Sequence, residues 1–168
     1  GLVAAVVVLL VRPAPASSPA SSPVAQQPSP RPTPSATPHP STATQQEDQK
    51  QFRSYVAMTL TRGTALAGAA ASLKDCGDRG TCERRLAAAE AQVNSFLQAL
   101  DANPPPPCLS STDQHLRNGL TFQQQGFQLA RQAIRVKDRV KLAQGAALVG
   151  AGTSQERQAI KAARQSSC

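Results

Sequence analysis

The chain has 168 residues, a formal net charge of +8, four Cys, no Trp, one Tyr and four Phe. Ten of its fourteen prolines fall within residues 13–40, a stretch with too few apolar side chains to join a packed core. The rest of the chain suffices for one small domain, and its thin core makes cross-links important for stability. Because aromatic stacking groups are nearly absent, nucleic acid is disfavoured as a partner.

An apolar segment opens the chain, since residues 1–11 are all apolar or Gly. A membrane span needs about 20 such residues. We therefore interpret residues 1–11 as the remnant of a transmembrane anchor or of a signal peptide, with Ala14-Pro15-Ala16 as a cleavage site in the second case. Both alternatives predict an extracytoplasmic location for the rest of the chain, which is either membrane-anchored through this segment or secreted.

Residues 12–45 consist mainly of Pro, Ala, Ser, Thr and Gln and contain no acidic residue. Alternating prolines favour the polyproline II conformation, which extends about 3.1 Å per residue. The segment is therefore predicted to be a disordered, Pro-rich linker that reaches up to about 100 Å. Such a spacer is long enough to hold a domain away from a membrane.

Helical periodicity begins near residue 46 and predicts a helical domain over residues 46–168. Apolar residues spaced by three or four indicate a first helix over 47–74. A second helix is predicted over 82–101, with Thr81 as its N-cap and the four prolines at 104–107 as its end.

The buried faces of these two helices follow from the same spacing. On the first helix, Phe52 and Val56 belong to the predicted apolar stripe. On the second, Leu86, Val93 and Phe96 share one face, which is expected to pack against the rest of the domain.

A third helix follows the prolines. Its N-cap candidates are the hydroxyl residues Ser110, Ser111 and Thr112. After Ile134 the apolar pattern changes phase and Asp138 is a suitable cap, so we predict a turn near 136–138. The alternative within 112–149 is one uninterrupted helix.

The fourth helical stretch contains Gly150 and Gly152, followed by Thr153 and Glu156 in the spacing of a capping box, which predicts a break or kink. No strand-type alternation occurs after residue 46. Glycines at several other helical positions indicate close helix packing rather than a phosphate-binding loop. The predicted fold class is all-α, an antiparallel bundle of about four helices.

The cysteines are predicted to form two disulfides. Four Cys allow three pairings. In an up-down-up-down bundle, Cys76 and Cys82 both lie at the first turn, whereas Cys108 and Cys168 lie at the opposite end. We therefore predict the bonds Cys76–Cys82 and Cys108–Cys168, of which the second would contribute about 4 kcal/mol by closing a loop of about 60 residues. A metal site is disfavoured because no close CxxC pair occurs and His115 is the only His of the domain.

No catalytic constellation can be assembled from the sequence. Asp113 is two residues from both Ser111 and His115, and side chains at that spacing on a helix point in different directions, so the three cannot form a triad. A role of Ser111 in capping and of Asp113 at the positive helix N-terminus explains them better. We therefore predict a protein that is not an enzyme and uses no cofactor.

Charge is distributed unevenly along the domain. Residues 46–109 carry seven basic and seven acidic residues, whereas 110–168 carry nine basic and three acidic. Five basic residues surround the predicted turn and form a candidate polyanion-binding site: Arg131, Arg135, Lys137, Arg139 and Lys141. The alternative is an ordinary solvated helical face.

In outline the chain resembles membrane-tethered or secreted helical domains of bacterial envelope proteins, with an apolar N-terminus, a Pro/Ala/Ser spacer and a Cys-stapled helical region. From the basic second half and the missing catalytic set we expect a non-enzymatic domain that contacts an anionic cell-envelope polymer, lipid headgroups or an envelope protein. An alternative is a small-ligand-binding module with its pocket inside the bundle, near Phe122, Phe127 and the neighbouring glycines.

Overall fold

The structure, a computed structural model, describes residues 42–166. The apolar segment 1–11, the linker up to residue 41 and Cys168 lie outside the described residues. The described part of the chain is helical and contains no strand, as the sequence predicts. Its four helices are α1 (Thr42–Ala71), α2 (Arg79–Ala102), α3 (Ser110–Val136) and α4 (Arg139–Gln165).

The helix bounds differ from the predicted ones by a few residues. α1 begins at Thr42, before the boundary that we placed at residue 46, and a 3₁₀ turn over Ser72–Asp75 continues it. A second 3₁₀ turn, Pro107–Leu109, connects the proline run to α3. The proline run ends α2 as expected, because proline has no amide hydrogen to continue the helical hydrogen bonds.

Consecutive helices are antiparallel, and contacts across each pair show this order. Between α1 and α2, Gln51 near the start of α1 donates a hydrogen bond to the carbonyl of Pro104, which follows the end of α2, at 3.2 Å. Between α2 and α3, Gln128 near the end of α3 donates to Glu90 in the first half of α2 at 3.0 Å. Each helix packs mainly on its neighbours in sequence, and α4 packs along α3. The fold is therefore an antiparallel helical bundle in which α4 forms one side.

The N-cap of α2 is Asp78, so the prediction of Thr81 was wrong. The Asp78 side chain accepts a hydrogen bond from the Thr81 backbone amide at 2.9 Å. A carboxylate at this position satisfies one of the free amides of the first turn, and the helix therefore begins at Arg79. The hydrogen bonds from Thr81 hold the pKa of Asp78 below its usual value.

The predicted side-chain caps of α3 were also wrong. Leu109 is the N-cap residue, and no side chain caps this helix. The preceding 3₁₀ turn leads directly into α3, and Leu109 is fully buried. Burial of this leucine explains the position of the helix start better than any hydroxyl does, because apolar packing outweighs one cap hydrogen bond.

The predicted turn after α3 is confirmed, and residues 112–149 form two helices. Lys137 adopts the left-handed conformation, with φ of 57°, and ends α3. Asp138 then caps α4 by accepting a hydrogen bond from the Lys141 amide at 3.0 Å. The phase change in the apolar pattern therefore marked a real helix boundary.

The predicted break at Gly150 and Gly152 is wrong, because α4 is continuous from Arg139 to Gln165. Gly152 lies against α3, where it serves helix packing. Thr153 bonds back to the Val149 carbonyl within the helix at 3.1 Å and is not an N-cap. Tertiary packing therefore keeps this stretch helical in spite of its glycines.

One apolar core joins the helices. The largest fully buried side chains are Phe96, Leu100, Leu109, Leu120 and Val93. The predicted face of α2 is confirmed. On α1, Leu66 belongs to the predicted stripe and is buried, whereas Phe52 and Val56 are half-buried and Tyr55, outside the stripe, is buried. Tyr55 was missed because its buried position depends on a polar partner in α3.

The predicted bond Cys76–Cys82 is present and closes the turn between α1 and α2, with the two Cα atoms 4.8 Å apart. The second predicted bond joins Cys108 to Cys168, and Cys168 lies outside the described residues. It therefore stays a prediction.

Candidate functional site

The contact between α3 and α4 is lined by glycines at heptad spacing. Gly119 of α3 lies opposite Gly152 of α4, and Gly126 lies opposite Gly145. A Cβ atom built on Gly126 would lie 2.7 Å from the Gly145 carbonyl oxygen, and one on Gly152 would lie 2.6 Å from the Gly119 carbonyl oxygen. These distances are too short for any side chain, so the two backbones touch. We call this contact the glycine seam.

The glycine seam leaves no room for a ligand beside these residues. The space next to Gly126 is occupied by the backbone and side chain of Val149. Phe127 is buried in the core. Two hollows of about 300 Å³ open at the surface of the described region, one beside Glu83 and Arg131 and one beside Glu47 and Pro104. The glycines therefore serve helix packing, as their helical positions predict.

Polar side chains border the glycine seam. Gln123 Nε2 donates a hydrogen bond to Glu156 Oε1 at 2.9 Å, and both residues are buried. Burial raises the pKa of Glu156, while the hydrogen bond from Gln123 opposes this shift. A further polar contact joins His115 Nδ1 and Gln155 Oε1 at 3.0 Å. These pairs fix the register of the two helices, because a shift of one helix would leave buried polar groups without partners.

A polar network joins α1, α2 and α3 at the end of the bundle where α1 begins. The Tyr55 hydroxyl donates a hydrogen bond to Asp113 Oδ1 at 2.9 Å, and Arg117 Nε donates to Asp113 Oδ2 at 2.6 Å. Arg117 also pairs with Asp101 of α2. Burial, reinforced by the Asp113 carboxylate, raises the pKa of Tyr55. Asp113 is therefore a structural residue, and its partners account for its place near the start of α3.

The structure separates the five predicted polyanion-binding residues into two groups. Arg131 pairs with Glu90 of α2, and Arg135 pairs with Glu83 of the same helix. These two guanidinium groups hold α3 to α2. Their charge is largely neutralised by those carboxylates, which leaves them less available to a polyanion.

The other three predicted polyanion-binding residues, Lys137, Arg139 and Lys141, lie at the turn between α3 and α4. We call residues 136–142 the tip. The side chains of Lys137 and Arg139 are exposed and make no ion pair or hydrogen bond within residues 46–166. Lys141 lies 3.9 Å from Asp138 and is half-exposed, so this pair is weak. Of the five predicted residues, the three at the tip therefore keep their charges without a strong ion pair, and their binding of a polyanion stays a prediction.

Sequence reasoning missed the apolar part of the tip. Val136 is 63% exposed, Val140 is 68% exposed and Leu142 is 42% exposed. They are the large apolar side chains that the described part of the chain leaves most open to solvent. The available signal was the same phase change that predicted the turn, because Val136 and Val140 no longer continue the stripe of α3.

The acidic residues of α3 and α4 are all engaged. Asp113 is bound to Tyr55 and Arg117, Asp138 caps α4, and Glu156 is buried with Gln123. By contrast, a second group of exposed basic residues without an ion-pair partner among the described residues lies near the C-terminal end of α4, away from the tip: Arg157, Lys161 and Arg164. The solvent-facing charge of this helix pair is therefore almost wholly positive.

No group of three or more His, Cys, Asp or Glu in the described region is arranged to hold a metal ion. None of the helices described for residues 42–166 has the length and apolar character needed to cross a membrane. Comparison of the chain with protein-family models, curated proteins and solved structures finds no match.

Proposed function

We propose that this protein is a non-enzymatic, extracytoplasmic helical domain, membrane-tethered or secreted, that binds an anionic component of the cell envelope through α3 and α4. The observation that carries the proposal is the charge on these helices. Their three acidic residues are buried or act as caps, while Lys137, Arg139 and the basic residues of α4 face solvent. Such a surface attracts polyanions, and binding to it weakens with salt.

The polar groups of the bundle support a binding role over catalysis. His115 faces Gln155, and Asp113 and Glu156 are held by hydrogen-bond partners inside the bundle. A catalytic acid, base or nucleophile must reach a substrate in an open site. In the described region these side chains face one another, and the surface offers charge instead.

An extracytoplasmic location is supported by the disulfide Cys76–Cys82, because such bonds persist in oxidising compartments. We further propose the bond Cys108–Cys168, which would tie the end of α4 to the start of α3. Peptide mapping without reduction tests it. A peptide that joins Cys108 to Cys76 or Cys82 would contradict both pairings.

Binding of the full chain to immobilised dextran sulfate tests the proposed function. The tip-charge variant Lys137→Gln/Arg139→Gln removes two exposed charges at the turn. Its matched control, Lys50→Gln/Arg53→Gln, removes two exposed charges near the start of α1. Both variants have the same net charge, so any difference between them depends on position.

We expect the wild type to bind at low salt and to elute as salt rises, because exposed charges are screened over about 8 Å at physiological ionic strength. The tip-charge variant should elute at clearly lower salt than the control. Equal elution of the two variants, or no binding of the wild type at low salt, would contradict the proposal.

A further inference from the structure

The exposed apolar side chains of the bundle are concentrated at one place. Val136, Val140 and Leu142 fall within seven consecutive residues of the tip. Scattered surface leucines and valines are ordinary, but a cluster at a single turn marks a surface that meets a partner. The tip therefore combines apolar side chains with the cations Lys137 and Arg139.

The arrangement of these side chains indicates how a partner would meet them. Val140 and Leu142 are two positions apart in α4, so they point about 200° away from each other around the helix. A partner that lay along α4 would contact only one of them. A partner that meets the helix pair end-on would contact both, together with Val136 at the end of α3.

The depth of the apolar layer is small. Residues 139–142 rise by about 5 Å along the helix axis. Apolar groups that bind at a bilayer surface enter the boundary between headgroups and acyl chains to about 5–10 Å. The tip matches this depth, and Lys137 and Arg139 lie at the level where anionic headgroups would meet them.

The backbone at Lys137 gives an independent reason to regard the tip as functional. Lys137 is the one non-glycine residue with positive φ among the described residues. Glycine is the usual residue at this position after a helix, because other L-residues are strained there. A lysine at this site presents a charge beside the apolar side chains of the tip, where glycine would present none.

From these observations we propose that the tip docks end-on onto a lipid bilayer with anionic headgroups, with Val136, Val140 and Leu142 entering the headgroup boundary. The inference rests on the proposed function and specifies its partner as a membrane surface. A soluble polyanion would use the charges of the tip but would offer nothing to its apolar side chains. The two partners are therefore separable by experiment.

A single tryptophan tests whether the tip enters lipid, because the chain has no Trp of its own. We place it at the tip in Val140→Trp and, as a matched control, at an exposed α2 position near the opposite end of the bundle in Gln98→Trp. The full chain of each variant is mixed with vesicles of phosphatidylcholine and phosphatidylglycerol, or of phosphatidylcholine alone. The emission of Val140→Trp should shift to the blue with the anionic vesicles only.

The control also accounts for the apolar segment 1–11, which both variants carry. If that segment alone brought the chain to the vesicles, the emission of Val140→Trp would stay unshifted. That result, or an equal blue shift of Gln98→Trp, would overturn the end-on docking of the tip.

A second pair of variants removes apolar surface and keeps every charge. Val136→Ser/Val140→Ser should weaken sedimentation with anionic vesicles by about tenfold. It should bind dextran sulfate as the wild type does. The matched control, Ala147→Ser/Ala151→Ser, makes two exposed α4 positions polar. It should change neither the binding to anionic vesicles nor the binding to dextran sulfate. Circular dichroism and the thermal midpoint check that each variant folds.

The outcomes separate the two proposals. Vesicle binding by Val136→Ser/Val140→Ser at the wild-type level would overturn membrane insertion while the polyanion surface remained. Loss of the positional effect on dextran sulfate would overturn the proposed function itself. Lys137→Gly adds a third readout. We expect this variant to bind anionic vesicles more weakly than the wild type while its thermal midpoint is not lowered. Unchanged vesicle binding would contradict the role of this lysine.

Discussion

The α1–α2 pair and the α3–α4 pair are built on different packing principles. Between α1 and α2, large side chains such as Leu66 and Phe96 fill the contact, and the bond Cys76–Cys82 closes the turn. Between α3 and α4, glycines bring the backbones together, and a left-handed Lys137 makes the turn. The first pair is held by side chains and a covalent link, the second by close backbone approach.

This difference shows why α3 and α4 can present so much charge and apolar surface. At the glycine seam, dispersion contacts between the close backbones hold the two helices together, so large apolar side chains are not needed there. Much of α4 can then face solvent without weakening the contact. The α3–α4 pair therefore supplies exposed surface along α4, while α2 and α3 supply most of the apolar core.

The largest effect is expected from filling the glycine seam. Gly126→Leu places a side chain where even a Cβ would lie 2.7 Å from the Gly145 carbonyl oxygen. Overpacking of this kind should lower the free energy of unfolding by about 3 kcal/mol. Denaturant unfolding of the full chain measures it.

The matched control for this change is Gly150→Ala in α4, where nothing lies within 4 Å of the added Cβ. It should raise the free energy of unfolding by about 0.5–1 kcal/mol, because alanine favours a helix interior over glycine. If both glycine changes destabilised the protein equally, the seam would not be the reason for the close packing of α3 and α4.

The next effect concerns the α1–α2 pair. Cys76→Ser/Cys82→Ser removes a bond between residues six positions apart. By the chain-entropy model this should lower the free energy of unfolding by about 2 kcal/mol, since the loop is short. Hydrogen exchange should show faster opening at the turn between α1 and α2, with α3 and α4 little changed. Faster opening confined to α4 would contradict the statement that this bond holds the α1–α2 pair and not the α3–α4 pair.

The smallest effect is a dependence on pH at the border of the glycine seam. Burial raises the pKa of Glu156 above its ordinary value of 4.5, so the folded state holds this proton more tightly than the unfolded state. Its contribution to stability is complete below the ordinary pKa and is lost as pH rises through the raised one. Glu156→Gln should remove this loss and be the more stable protein above that range.

Unfolding of the wild type and of Glu156→Gln over a pH series provides the measurement. The difference in unfolding free energy between the two proteins should grow with pH and then level off. If the unfolding free energies of the two proteins differed by the same amount at every pH, the prediction that burial raises the pKa of Glu156 would be contradicted.

Local pattern was sufficient for most of the secondary structure. Apolar spacing located the helices and the face of α2, and the phase change after Ile134 located the turn at Lys137. It was insufficient where a tertiary contact competes with a local signal. Asp78 displaced Thr81 as a cap, and close packing on α3 kept α4 continuous through Gly152.

The surroundings of the candidate site residues were predicted in part. The sequence placed five basic residues around the turn, and Lys137, Arg139 and Lys141 do lie at the tip. That Arg131 and Arg135 are paired with Glu90 and Glu83 was not predictable, because those acids are more than forty positions away in the chain. Charge counted along a sequence does not show which charges a neighbouring helix neutralises.

The sequence by itself determined the helical class of this domain, its turns and the short-range bond Cys76–Cys82, because these depend on residues close together in the chain. Only the tertiary structure decided that the glycines of α3 meet the glycines of α4, and that Val136, Val140 and Leu142 remain open to solvent. Burial and charge pairing depend on which helices become neighbours, and that is settled by packing over the whole molecule.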